Sequence, residues 1–351
     1  MRDNKYIEFL NKIFQGDSLE IVDQFPDEYF DCCITSPPYW ALRDYKAKKQ
    51  IGLEKTPEEY IDKLVGLFSN IRKKLKPGGT LWLNIGDSYA AASKKRSEEQ
   101  ACRKSTINGS LGGQIACMNQ QSKIVNGLKP KDIVGIPWSL AFALRVDGWY
   151  LRQEIIWAKA FSTNKENFGS VMPESVSDRF VKSHESIFLL SKSNKYFFNL
   201  DAIKKKIKDS SVKRLSQNIE LQNGSDRIPD KNNGKMKAVI GSPQMAREGT
   251  NLPGHSGDIQ KSDRANKRSV WHINTSGFKE AHFATFPEDL IVDCIKAGCP
   301  EGGVILDPFM GAGTTAIVAR KLNRNYVGIE LNPEYIKMAQ RRLKKELGLF
   351  L

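Results

Sequence analysis

Val304-Ile305-Leu306-Asp307-Pro308-Phe309-Met310-Gly311-Ala312-Gly313-Thr314-Thr315 reads as an apolar strand, a glycine-rich turn and the start of a helix. Roughly twenty residues on, at the spacing of a nucleotide-type site, Tyr326-Val327-Gly328-Ile329-Glu330 forms a second short strand that ends in an acid. Glycines in such a turn let a ligand approach the backbone, and an acid at the next strand end suits ribose hydroxyls. The pair predicts an α/β fold built on a doubly wound, mostly parallel, Rossmann-like sheet. The turn lacks the lysine of a P-loop, and Asp307 would repel a phosphate. A cationic ligand without phosphates fits better, and S-adenosyl-L-methionine carries a sulfonium, an ammonium, a ribose and an adenine.

Far upstream lies Asp31-Cys32-Cys33-Ile34-Thr35-Ser36-Pro37-Pro38-Tyr39-Trp40. Asp31 to Ile34 has the pattern of a short buried strand, and the two prolines stop it. Prolines fix φ and remove donors, so the carbonyls of Ser36 and Pro37 cannot enter a ladder. The result is a stiff loop with free acceptors, a hydroxyl and two aromatic faces, a kit suited to a planar, amine-bearing ring. An ordinary Pro-Pro turn with a buried aromatic would read the same way locally.

The two motifs in this order, separated by a long variable region, resemble the β class of DNA amino-methyltransferases. The likeness runs over residues 10–200 and 268–346. In that class the proline loop holds a flipped base and the glycine loop holds S-adenosyl-L-methionine, with the two motifs in permuted order. The resemblance therefore implies Ser36, Pro37, Pro38 and Tyr39 as catalytic, with Trp40 and Trp157 against the base. It implies Asp17, Asp307, Phe309, Gly311, Gly313, Thr314, Thr315, Glu330 and Asn332 around the cofactor, and His282, Thr285 and Pro287 beside its methionine part. Double-stranded DNA is the implied partner, with a cognate restriction endonuclease a further one. The implied setting is a prokaryotic or phage cytoplasm at the nucleoid, with the enzyme a monomer or homodimer.

Bulk properties agree with a nucleic-acid partner. A net charge of +14 over 351 residues favours a polyanion, although a basic soluble protein would also show it. No run nears the ~18 apolar residues of a membrane span, and the N-terminus has no apolar signal core. Six cysteines form no Cys-x-x-Cys pair, which points to reduced thiols rather than metal. No Pro-Cys dipeptide occurs, which argues against ring-carbon cytosine methylation.

Taken in order, Ile13 to Leu19 reads as a strand and a Gly-Asp turn, where Asp17 either caps a helix or meets the cofactor. Arg43, Asp44 and Tyr45 either touch DNA or sit in solvent. Thr56-Pro57-Glu58-Glu59 opens a helix as N-cap, N1 and capping box, and Tyr60 to Leu75 carries its apolar stripe. Lys76-Pro77-Gly78-Gly79 is expected to end it before a strand at Thr80 to Ile85, giving a right-handed β-α-β unit. Asn84, Asp87 and Tyr89 then fall near the same sheet edge. Residues 91–130 are polar, and read either as a mobile DNA-facing loop or as simple disorder. Ile133, Ile136, Leu140 and Leu144 suggest a helix, followed by a strand over Gly148 to Trp157. Trp157 is either core or pocket wall. His184-Glu185 opens another strand and lacks a second helical histidine, so metal is rejected.

Residues 1–200 and 269–351 are read as the catalytic and cofactor halves of one domain, with an insertion at 201–268. Residues 201–270 hold 15 Lys and Arg against 8 Asp and Glu, half the net charge. Such an insertion fits target recognition through phosphates and base edges, or else a solvated linker. Within the resembled class, serine at the loop's first position accompanies N4-cytosine more often and aspartate N6-adenine, so N4-cytosine is expected, with N6-adenine the alternative. An RNA or protein amino-methyltransferase and a non-catalytic DNA-binding module complete the readings. All of them turn on whether Thr35 and Asp307, some 270 residues apart, end neighbouring strands.

Overall fold

The structure is a computed structural model and describes residues 4–42, 49–90, 127–171, 174–206, 264–275 and 286–348. Its strands are β1 (Lys12–Gln15), β2 (Phe30–Thr35), β3 (Leu75–Ile85), β4 (Tyr150–Ala158), β5 (Ala160–Ser162) and β6 (Asn167–Gly169). They continue with β7 (His184–Ser191), β8 (Lys205–Lys206), β9 (Arg264–Ala265), β10 (Val270–His272), β11 (Val304–Asp307) and β12 (Asn325–Glu330). The helices are α1 (Ser18–Val22), α2 (Pro57–Lys74), α3 (Ile136–Val146), α4 (Glu288–Gly298), α5 (Thr314–Lys321) and α6 (Pro333–Leu347).

Eight strands form one sheet in the order β1-β12-β11-β2-β3-β7-β4-β10. β7 alone runs against its neighbours β3 and β4; the other pairings in this sheet are parallel. From β11 the chain passes through α5 to β12 on one side, and from β2 through α2 to β3 on the other. The order therefore reverses between β11 and β2. A doubly wound sheet leaves its ligand crevice at that point, beyond the C-terminal strand ends.

Strand alternation covers both faces. Leu81, Leu83 and Ile85 join Tyr60, Leu64, Leu67, Phe68 and Ile71 of α2 and Leu140 and Leu144 of α3 in one core. Thr80 and Trp82 point the other way, against the end of α4, where a Cβ on Gly298 would lie 2.3 Å from the Trp82 Nε1. The start of α2 is capped as its sequence requires: the Glu59 amide donates to Thr56 Oγ1 at 3.2 Å, with Pro57 following the cap.

Two boundaries differ from the sequence reading. β3 begins at Leu75, opposite Phe30, because a shift in register between Phe30 and Cys32 absorbs the Pro-Gly-Gly segment inside the strand. α3 begins only after Gly135, whose φ of +81° breaks the helix, and the half-exposed Ile133 instead bridges Tyr89.

Contacts divide the chain into two units, Met1–Asn199 with Ser269–Leu351, and Leu200–Arg268. In the described part of the second unit β8 pairs antiparallel with β9, Lys206 opposite Arg264. No described helix is long and apolar enough to cross a membrane. Residues 91–126, most of the basic insertion, and Arg43, Asp44 and Tyr45 lie outside the described residues.

Candidate active site

Thr35 and Asp307 meet. The Thr35 hydroxyl donates to Asp307 Oδ1 at 2.7 Å across 272 residues of chain, tying the last residue of β2 to the last residue of β11. Asp307 is 1 % exposed and takes two further donors: the Phe309 amide on Oδ1 at 3.0 Å and the Thr315 hydroxyl on Oδ2 at 2.6 Å. Burial pushes its carboxyl up to about 6, against the opposing pull of Thr315, Thr35 and the Phe309 amide. Asp307 and Thr315 thus brace the turn from within, and Thr315 does not line the cavity.

The turn itself is shaped by its glycines. Gly311 and Gly313 adopt φ of +52° and +79°, and a Cβ on Gly313 would lie 2.8 Å from the Ala339 Cβ. Gly313 serves the packing of α5 on α6 rather than the cavity wall, from which it is absent. Glu330 accepts the Gly311 amide on Oε2 and the Asn332 amide on Oε1, each at 2.8 Å. Burial raises its carboxyl above the ordinary range, and those amides lower it again. A carboxylate has about four acceptor sites, so Glu330 keeps acceptor capacity for a ligand. Asn332 and Asp17 both cap helices, accepting from the Glu334 and Leu19 amides at 2.9 Å, and both line the cavity. The two readings of Asp17 therefore describe one geometry.

The proline loop is held on its outer side. The Tyr60 hydroxyl donates to the Pro38 carbonyl at 2.9 Å. Among the described residues none donates to the Pro37 carbonyl, which keeps its acceptor. Trp40, expected against a base, is instead 3 % exposed with its indole donating to the Glu54 carbonyl at 3.0 Å. It belongs to the core, its side chain packed away from the cavity to which Leu42, two residues on, returns. Trp157 is both buried and part of the cavity wall, its indole donating to the Ile273 carbonyl at 2.8 Å. Pro287 is buried at the start of α4, and its neighbour Phe286 lines the cavity. His282 and Thr285 lie outside the described residues.

Both loops open into one cavity of about 500 Å³. Ser36, Pro37, Pro38 and Tyr39 line one part of it and Asp307, Phe309, Gly311, Thr314, Glu330 and Asn332 another. Five acidic residues, Asp17, Glu174, Glu185, Asp307 and Glu330, line it against two lysines, Lys49 and Lys159. The excess of negative charge suits a cation. Asn84 also lines it, whereas Asp87 accepts the Gly135 and Ile136 amides at the head of α3, and Tyr89 lies under Arg179 at 3.8 Å. Sequence reasoning passed over Ser18, whose hydroxyl donates to the Pro308 carbonyl at 2.5 Å, and Glu185, rejected as a metal ligand and not considered further.

The profile of the N6/N4 family described as DNA methylase matches residues 30–341, and the chain belongs to that family. It is 40 % identical to the type II methyltransferase M.SmaI of Serratia marcescens, over 95 % of this chain and 90 % of that protein. It is 38 % identical to M.Cfr9I of Citrobacter freundii, over 95 % and 88 %. In three dimensions it resembles the PvuII cytosine-N4-specific DNA methyltransferase, with a TM-score of 0.57, 17 % identity, and coverage of 94 % of this chain and 85 % of that one. A putative DNA modification methylase from Thermus thermophilus, solved with S-adenosyl-L-methionine, gives a TM-score of 0.53 at 20 % identity, covering 97 % and 95 %.

Proposed function

We propose that this DNA methylase transfers a methyl group from S-adenosyl-L-methionine to the exocyclic N4 of a cytosine flipped out of duplex DNA, as the modification enzyme of a bacterial type II restriction system. The observation that supports this reading is the Thr35–Asp307 hydrogen bond, which joins the adjacent strand ends from which the Ser36–Tyr39 loop and the glycine turn leave for one cavity. The residues fit the cofactor: lone pairs of Glu330 remain for ribose, Asp17 and Asn332 offer polar contacts, Phe309 and Met310 offer apolar ones, and the acid excess matches its positive charge. When bound, it supplies an electrophilic methyl group on sulfur.

The chain's own residues do the rest by position. A base inside the stack cannot reach Ser36, so it must be extruded at a cost of about a few kcal/mol. The Tyr39 ring then stacks on it. The Ser36 hydroxyl and the Pro37 carbonyl accept the two amine hydrogens. Those bonds draw the nitrogen toward tetrahedral geometry and aim its lone pair at the methyl group. As the new C–N bond replaces the C–S bond, leaving a neutral thioether, the nitrogen releases one of its two hydrogens as a proton past these acceptors to water. No covalent enzyme adduct is needed, since orientation and charge complementarity lower the barrier. The neutral hydroxyl of Ser36, in place of a carboxylate, favours cytosine. Nucleoside mass spectrometry of DNA incubated with enzyme and methyl-labelled cofactor tests this. N4-methylcytosine is expected; N6-methyladenine overturns the choice of base, and label in RNA or protein but not DNA overturns the substrate.

A further inference from the structure

The Tyr39 ring is fixed from two directions. A Cβ on Gly86 would lie 2.6 Å from the Tyr39 Cε2, so the ring packs directly against the Gly86 backbone. Its phenol donates to Glu185 Oε2 at 2.7 Å. Burial, and then the Glu185 charge beside it, keep that phenol well above its ordinary range, hence protonated and donating. Glu185 is itself held: Lys159 ion-pairs with Oε1, and the Asn84 amide donates to Oε2 at 3.3 Å. Lys159 lies 4.7 Å from the centre of the Trp157 ring, so the ammonium is fixed as well. Tyr39, Asn84, Trp157, Lys159 and Glu185 all line the cavity.

The reversed direction of β7 explains why an acid stands here. Because β7 is antiparallel to β3 and β4, its first residues lie beside the last residues of both, Ser186 opposite Ile85 and Glu185 opposite Trp157. An acid next to the head of a strand with an apolar middle, Ile187 to Leu190, is thereby delivered to the edge where its neighbours end. Its partly buried carboxylate is stable there only because Tyr39, Asn84 and Lys159 satisfy it.

We propose that Glu185 is a positioning residue for methyl transfer, holding the base-stacking ring of Tyr39 through the phenol, with Lys159 holding Glu185 in turn. The inference rests on the reading of Ser36 to Tyr39 as the amine cradle. A ring free to swing would misplace the stacked base, and a displacement of about 1 Å costs on the order of a hundredfold in rate.

The test measures kcat, cofactor Kd and thermal midpoint for Glu185→Ala and Glu185→Gln, each alone and with Tyr39→Phe. Glu185→Ala is expected to lower kcat by roughly 10- to 100-fold, with cofactor Kd unchanged within about threefold. Glu185→Gln keeps an acceptor for the phenol and is expected to restore most of the rate. With Tyr39→Phe present, Glu185→Ala is expected to add little, since the hydrogen bond through which it acts is already gone. Equal losses in both backgrounds, or a Gln variant as impaired as Ala, overturn the inference. Ser36→Ala and Pro38→Ala run alongside: if they retain full activity, the cradle reading itself fails, whereas a neutral Glu185→Ala beside inactive cradle variants defeats the inference alone.

Discussion

Replacing Asp307 by Asn should make the protein's stability respond differently to pH. Burial lifts this carboxyl from 3.8 to about 6 in the folded chain. At about 1.4 kcal/mol per pKa unit, holding its charge at neutral pH costs the fold about 3 kcal/mol. The sign follows from the upward shift. The folded state is favoured with the proton on, so this contribution is fully present below pH 3.8 and is lost as pH rises through about 6. Asn carries no proton to lose, yet still offers an oxygen to Thr35 and Phe309. Urea unfolding of both proteins at pH 4.5 and 7.5 isolates the effect, because the other titrations largely cancel in the difference. About a third of the cost is already present at pH 4.5, so the variant should gain about 2 kcal/mol on wild type between the two pH values. A bound cation should stabilise the charged form of Asp307, so wild-type cofactor affinity should tighten as pH rises through about 6, and that trend should flatten in the variant. A stability difference that does not change with pH would refute the buried, three-donor description of this carboxylate.

Pro38→Ala and Tyr39→Ala should abolish transfer while leaving cofactor Kd, measured by calorimetry, within a few-fold; the converse pattern would reverse the roles of the two loops. Gly313→Ala should cost about 2–3 kcal/mol in urea unfolding, from its left-handed φ and the Cβ contact with Ala339. A neutral result would mean that α5 and α6 are not packed through that glycine. Trp40→Ala should cost about 3–5 kcal/mol as a core truncation, with kcat per folded molecule retained; a full loss of kcat without destabilisation would return Trp40 to the base pocket.

The geometry of the glycine turn, on one side of the candidate site, was legible because its signal is local. Asp307 to Thr315 and Glu330 lie within one β-α-β unit, and glycine at positive φ and an acid at a strand end are direct consequences of residue type. The proline loop was equally local. Trp40 lies in the core because sequence adjacency to Tyr39 does not say which way a side chain points, and its direction is set by distant partners, the Tyr60 hydroxyl that holds the loop and the Glu54 carbonyl that takes its indole. Glu185 was missed for a deeper reason. The rule that ligands sit beyond the C-terminal ends of parallel strands directs attention to strand ends, and Glu185 is near a strand start. Only the inverted direction of β7, which no residue pattern within β7 encodes, brings that start to the cavity edge. The observable signal is chemical rather than positional: an acid heading an apolar strand must find donors once buried. Here the donors it finds are the Tyr39 phenol and the lysine two residues after Trp157. A strand that reverses inside a parallel sheet therefore brings its opening residues to the edge where its neighbours end, and in this chain the acid there, Glu185, is satisfied in part by Tyr39 of the proline loop.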